Sequence, residues 1–429
     1  MRKPVLIVLL LCLFAVSAAA QDEPVVIEFF YPTSTDNPAA EIFQRYADDF
    51  NATNPDIEVV PVYAGGYDDI TAAARNSIEN DIPGPDVAVV LVVDLFNFIE
   101  NDYIIPAQQF IDRMDNGDTY INDFFPAFME NSVDGDGTVW TIPFQRSTPI
   151  LFYNKDLFRE AGLDPDQPPR NRDELVTYAT ALTSDDQWGV YVPSAGFPYW
   201  LFQSFAVAHG QNIVGAADAE VFFNAPEVVN ALEFFMSLSE EHEVMPPGAI
   251  SFFDTPDAFF DEQVAMIYHT TGSLTNILEN ADFEVGVGFL PGGPAGEDDT
   301  GYGSPTGGGN LYIFSNTSPE KQAAAWRWIE YLTSPEIQAD WTLNTGYIAA
   351  RQSAWETDTL QDLLEDRPEY AVARDQLEFA RKELSTHDGI AVRGVLNDAL
   401  AAVIAGEAEP QAALDAAQEE ANAILEPYR

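Results

Sequence analysis

A chain of 429 residues with 46% apolar and 12% aromatic content is long enough for two domains and is not a disordered polypeptide. Its 70 acidic residues against 19 basic ones give a formal net charge of −51, which excludes the basic footprint of a nucleic-acid binder and opposes docking on an anionic lipid surface. The acid excess reads either as a solvated surface that keeps a secreted protein dispersed, or as adaptation to a salty medium that screens self-repulsion.

In chain order, Arg2 and Lys3, the apolar stretch 4–16 and the small residues Ser17, Ala18, Ala19 and Ala20 make a secretory leader with cleavage expected after Ala20. The uncharged run 4–21 is also of borderline length for an uncleaved anchor. The single cysteine, Cys12, follows Leu9, Leu10 and Leu11 rather than small residues, so no lipid anchor is expected. The mature chain would then carry no thiol and no disulfide.

Residues 25–31 are β-branched and aromatic and predict a strand. Asn37 and Pro38 open a helix whose apolar stripe is Ile42, Phe43, Tyr46, Ala47 and Phe50. A second strand is expected over 57–63, and Gly65-Gly66 turns into a helix over 67–80. Residues 86–94 are apolar on both faces, as in a central parallel strand covered by helices. The β-α-β-α-β order implies an α/β lobe. Asp134-Gly135-Asp136-Gly137 resembles the start of a calcium loop, but Gln145 stands where the twelfth-position glutamate belongs, so a hairpin turn is the better reading. Helices are expected over 171–183, 226–240, 319–332 and 409–425, and a buried strand over 264–269. The glycine- and proline-rich stretch 292–309 is expected to be largely loop, with Tyr302 a further aromatic candidate within it. No G-x-S-x-G or H-E-x-x-H occurs, and His209, His242, His269 and His387 lack metal spacing, so no enzyme, metal or cofactor is expected. Paired carboxylates of a secreted glycoside hydrolase stay open, because acids are everywhere.

Residues 143–158 read P-F-Q-R-S-T-P-I-L-F-Y-N-K-D-L-F and run on through Ala161-Gly162-Leu163-Asp164-Pro165 and Pro168-Pro169 into Asp173-Glu174-Leu175. This run resembles the central signature of the extracytoplasmic solute-binding proteins of ABC importers, and is most similar to their glycerol-3-phosphate-binding (sugar-binding) branch. Further pieces follow in register: 259–266 (F-F-D-E-Q-V-A-M), Thr271-Gly272-Ser273-Leu274, 285–291 (V-G-V-G-F-L-P), Gly307-Gly308-Gly309-Asn310-Leu311, Ala324-Ala325-Trp326 and Thr345-Gly346-Tyr347. The resemblance implies a two-lobed periplasmic-binding-protein-like (type II) α/β fold with a hinge and an interlobe ligand cleft. Lobe 1 is expected from 21–130 and 264–316, and lobe 2 from 131–263 and 317–429. It also implies a periplasmic or extracellular monomer that catches a small polar solute, glycerol-3-phosphate or a glycerophosphodiester or a sugar, and delivers it to membrane permease subunits. A di- or oligosaccharide-binding protein is the alternative.

Residue by residue, the resemblance places Tyr67, Ser147, Thr270, Gly308, Tyr347 and Arg393 at the ligand. Arg146 is a second candidate cation, and Trp200, within Phe197-Pro198-Tyr199-Trp200, a candidate ring beneath a sugar. A guanidinium matches phosphate oxygens bidentately, and Gly307-Gly308-Gly309 lets backbone N–H groups approach an anion. The chain departs from the branch at Val92, which stands where the branch has a glutamate, with Asp94 nearby. The alternative for Arg393 is a surface ion pair to one of the many acids, against which the resemblance favours the site, and the alternative for Trp200 is core packing.

Overall fold

The computed structural model describes residues 23–33, 38–292 and 303–429. The expected leader with Cys12, the helix-opening Asn37 and the candidate Tyr302 lie outside the described residues. Two sheets organise the chain. The first has the order β2-β1-β3-β10-β4, built from β1 (Val25–Tyr31), β2 (Ile57–Tyr63), β3 (Val87–Leu91), β4 (Ile142–Ser147) and β10 (Gly307–Ile313). The second has the order β6-β7-β5-β8, from β5 (Pro149–Asn154), β6 (Trp188–Tyr191), β7 (Val264–Thr270) and β8 (Val285–Gly288). β1 runs parallel to β2 and β3, while β10 is antiparallel to β3 and β4.

These pairings give the two-lobed type II fold, with each lobe discontinuous in sequence. They also redraw the expected boundary. Residues 264–288 pair with β5, from Pro149 opposite Thr270 to Tyr153 opposite Met266, and so belong to the second lobe, not the first. β4 and the helix Pro319–Leu332, expected in the second lobe, belong to the first: β4 pairs with β10, and the helix packs on β1 and β10. Ladder hydrogen bonds override linear proximity here. The stretch 292–309 is less loop than expected, because β9 (Ser304–Pro305) pairs with β11 (Ala380–Arg381) and β10 begins at Gly307.

Local signals account for most elements. The helix Ala39–Thr53 buries Ile42, Phe43, Tyr46, Ala47 and Phe50, the stripe that helical spacing predicts. Asn171 caps the helix Arg172–Leu182 by accepting from the Glu174 N–H, and Ser318 caps Pro319–Leu332 by accepting from the Lys321 N–H. Residues 133–139 form the expected hairpin turn, with Asp134 accepting from the N–H groups of Asp136 and Thr138. β3 is buried on both faces, as a central strand must be. Among the described residues no helix is long and apolar enough to cross a membrane.

The first lobe's core centres on Phe43. Its ring lies 5.1 Å from Phe29, 4.7 Å from Tyr31, 5.9 Å from Phe144 and 5.0 Å from Trp341, joining one helix to two strands and to the helix Pro335–Thr345. Phe43→Ala should cost about 3–5 kcal/mol, read as a lower urea midpoint at unchanged slope; a loss below about 1 kcal/mol would contradict this packing.

Candidate functional site

The two sheets are joined by a link of one residue. β4 ends at Ser147, Thr148 crosses, and β5 begins at Pro149. Thr148 is fully buried and is held by the Thr271 N–H, which donates to its carbonyl at 3.0 Å, and by the Thr271 hydroxyl, which accepts from its N–H at 3.2 Å. The buried Gln376 donates to Pro149 O at 2.6 Å and accepts from the Leu290 N–H at 2.9 Å, tying two interlobe connections together.

Beside this crossing, at the carboxyl ends of β3, β4 and β7, a cavity of about 40 Å³ is lined by Tyr67, Leu91, Ser147, Phe197, Tyr199, Trp200, Phe252, Thr270, Gly308, Tyr347 and Glu383. Strand ends at a topological switch are where α/β sheets hold ligands. Six of the eight expected site residues meet here: Tyr67, Ser147, Thr270, Gly308, Tyr347 and Trp200. Tyr67 and Tyr347 are joined through Gln145, whose amide donates to their hydroxyls at 2.7 and 3.2 Å. Burial, then the neighbouring Tyr347, pushes the Tyr67 hydroxyl well above its ordinary range, so it stays a donor. Trp200 donates from Nε1 to Thr306 O at 2.9 Å.

Gly308 has φ +92°, and a Cβ on it would stand 2.0 Å from Gln145 O, so only glycine fits. A Cβ on Gly307 would meet the Trp200 ring at 2.5 Å. The glycine run, read from sequence as an opening for an anion, thus makes room for the neighbouring strand and a ring.

The two arginines are not on the cavity wall. In β4, Ser147 lines the cavity and Gln145 bonds two of its lining tyrosines, while strand alternation turns Arg146 to the opposite side. There its guanidinium lies 5.0 Å over the Phe128 ring and donates to Asn310 Oδ1 at 3.2 Å; among the described residues Nε and Nη2 have no partner. Burial, opposed by Glu383, pulls Arg146 down to about 10. Arg393 pairs with the buried Asp94 at 3.3 Å and lies 5.6 Å over the Tyr199 ring, behind the residue that lines the cavity. The expected surface ion pair is therefore a mostly buried one, since the Arg393 side chain is 14% exposed and Asp94 1%.

Glu383, Tyr199, Leu91, Phe197 and Phe252 complete the wall. Phe197 and Tyr199 lie in the aromatic run already singled out. Glu383 is one acid among 70 and carries no sequence signal. Phe252 is stacked 4.2 Å from His269, whose Nε2 donates to Phe252 O at 3.0 Å; burial holds this imidazole at about 4, so it is neutral. The wall therefore offers hydroxyl donors, aromatic faces and one carboxyl, a set suited to a small hydroxyl-rich solute. Among the described residues no group of three or more histidine, cysteine or acidic side chains could hold a metal ion.

Residues 45–368 match the family model of bacterial extracellular solute-binding proteins. The sn-glycerol-3-phosphate-binding periplasmic protein UgpB of Pectobacterium atrosepticum is 28% identical over 435 aligned residues, covering 96% of this chain and 94% of that protein. The Escherichia coli protein of the same name is 28% identical, covering 88% of this chain and 87% of its own. Among solved structures, Mycobacterium tuberculosis UgpB in complex with glycerophosphocholine superposes with a TM-score of 0.81 at 22% identity over 94% of this chain and 98% of that one. The GacH receptor of Streptomyces glaucescens, determined unliganded and with acarbose, gives 0.80 at 21% identity over 95% and 100%.

Gly308→Ala combines a disfavoured φ with a backbone clash and should cost about 2–5 kcal/mol, seen as a lower thermal midpoint; an unchanged midpoint would contradict the placement of Gly308 against Gln145 O.

Proposed function

The chain belongs to the bacterial extracellular solute-binding protein family, and on that premise we propose that it is the substrate-binding component of an ABC importer. It captures a small polar solute outside the cytoplasm and hands it to membrane permease subunits. In this reading the leader is cleaved after Ala20 and the mature protein works as a monomer without catalysis. One observation carries the reading: Tyr67, Ser147, Trp200, Thr270, Gly308 and Tyr347, drawn from both lobes, line one cavity beside the crossing strand. Closing two lobes on a solute buries it, and burial gives the permease a closed form to recognise.

The ligand classes in view are glycerol-3-phosphate or a glycerophosphodiester, and a sugar. The first is supported by the named relatives, and by Arg393 behind Tyr199, where it would complement a phosphate. The second is supported by the wall itself, where rings and hydroxyls predominate and neither arginine stands. Tyr199, Trp200, Phe197 and Phe252 give the apolar face of a sugar or polyol flat partners while its hydroxyls bond at the rim.

Calorimetric titration of the refolded mature protein tests this, with glycerol-3-phosphate, glycerophosphocholine, maltose, trehalose and sucrose in moderate salt. Saturable single-site binding of at least one is expected, with a matching rise of about 2–3 kcal/mol in stability at a hundredfold excess over Kd. Arg393→Ala should weaken phosphate-ester binding by about 2–5 kcal/mol and leave any sugar affinity within about tenfold. Turnover of a chromogenic glycoside, or no binding across the panel, would contradict the reading.

A further inference from the structure

Glu383 is the one acidic side chain on the cavity wall, and it is 2% exposed. Its Oε1 accepts from the Tyr199 hydroxyl at 2.8 Å. Its Oε2 has no hydrogen-bond partner among the described residues. A buried carboxyl oxygen left without a donor is costly, because nothing replaces the water it lost. The backbone around it is fixed by other groups. Asn131 donates to Glu383 O at 3.2 Å and accepts from the Glu383 N–H at 3.1 Å. Gln203 donates to Lys382 O at 2.9 Å and accepts from the Leu384 N–H at 3.2 Å. Gln203 sits on the helix Pro198–Ala208, the same helix that presents Tyr199 and Trp200. The carboxyl is thus held in place at a cavity wall with one oxygen unused.

Building on the solute-binding reading, we propose that Glu383 is the specificity-determining residue of the cleft: its free oxygen accepts a hydroxyl of the solute, so that the end of the ligand seated there is a polyol or sugar end and not an anionic one. The groups around the carboxyl fit this. Tyr199 donates to it, Arg146 and Arg393 attract it, Asp94 repels it, and the buried Tyr312 hydroxyl lies within its field. Neither guanidinium pairs with it directly: Arg146 bonds Asn310 and Arg393 bonds Asp94. A phosphate oxygen at Oε2 would face a like charge in a buried site. A hydroxyl would supply the missing donor. Burial pushes Glu383 up to about 7, with Arg146 and Tyr199 opposing, so near neutral pH the carboxyl is only part ionised. A hydroxyl donor binds the ionised form, so binding releases a proton. An anion at the same point would instead draw one in.

The test uses the full mature protein and the same five probes. Wild-type titrations at pH 7, in two buffers of different ionisation enthalpy, should show proton release on binding, and affinity should fall between pH 8 and pH 6. Glu383→Gln should weaken binding at pH 8 by about tenfold or more and flatten that pH profile. Maltose, trehalose or sucrose as the responsive probe identifies a sugar; glycerol-3-phosphate or glycerophosphocholine identifies a glycerol end. The variant should fold. A folded-state carboxyl raised above its unfolded value loses stability as pH rises from about 4.5 through about 7, so E383Q should melt no lower than wild type at pH 8. Proton uptake or none by the wild type, or an E383Q protein with wild-type affinity and pH profile, overturns the proposal alone. No binding of any probe by wild type overturns the solute-binding reading and this inference with it.

Discussion

The structure depends on one stretch of chain that is buried from end to end. Residues 142–154 run through β4, Thr148 and β5 without an exposed position, entering the first sheet and leaving through the second. Such a buried strand needs both faces covered and its N–H and C=O groups paired; β5 has ladders to β7 and β8 on its two sides, and β4 pairs with β10 and accepts the Ile348 N–H at Arg146 O. Since the link is a single residue, the two sheets cannot drift apart at this point. The cavity sits where the strand passes between them, so the geometry of Ser147 and its neighbours follows from the crossing.

The same strand explains the division between wall and support. Alternation puts Ser147 on the cavity wall, Gln145 against the wall tyrosines Tyr67 and Tyr347, and Arg146 behind it. Behind the wall the polar groups form a network: Arg146 to Asn310, Asn310 to Ser132 and Thr141, Thr306 to Asn131, and Asn131 to Glu383. Such a network is rigid when satisfied and costly where it is not. Its unmade bonds lie at Arg146 and at Glu383 Oε2, and only the latter belongs to a residue on the wall. The burial of like and unlike charges together keeps the cluster near balance in a chain whose net charge is −51.

Much of this was legible in sequence. The amphipathic stripe at Ile42–Phe50, the doubly apolar 86–94 run and the helical stretches 171–183 and 319–332 are local signals, and each matches an element close to the observed one. The signature at 143–158 marked the crossing strand with Ser147, and the resemblance along the rest of the chain marked Tyr67, Trp200, Thr270, Gly308 and Tyr347. What was not legible depends on distant pairing. The lobe boundary was misplaced because 264–288 returns to β5 across more than a hundred residues. Arg146 was put at the ligand although the period of its own strand places it opposite Ser147. Glu383 had no signal at all, because its role comes from the turn after β11 and from partners at Asn131 and Gln203.

The central claim, that a solute is held beside the crossing strand between the two sheets, is tested most directly by a crystal structure of the protein with whichever solute it binds. The account predicts density enclosed by Tyr67, Trp200, Thr270 and Tyr347, in contact with both lobes. Density in a surface hollow instead, such as the one beside Arg172, Phe234 and His242, would contradict it.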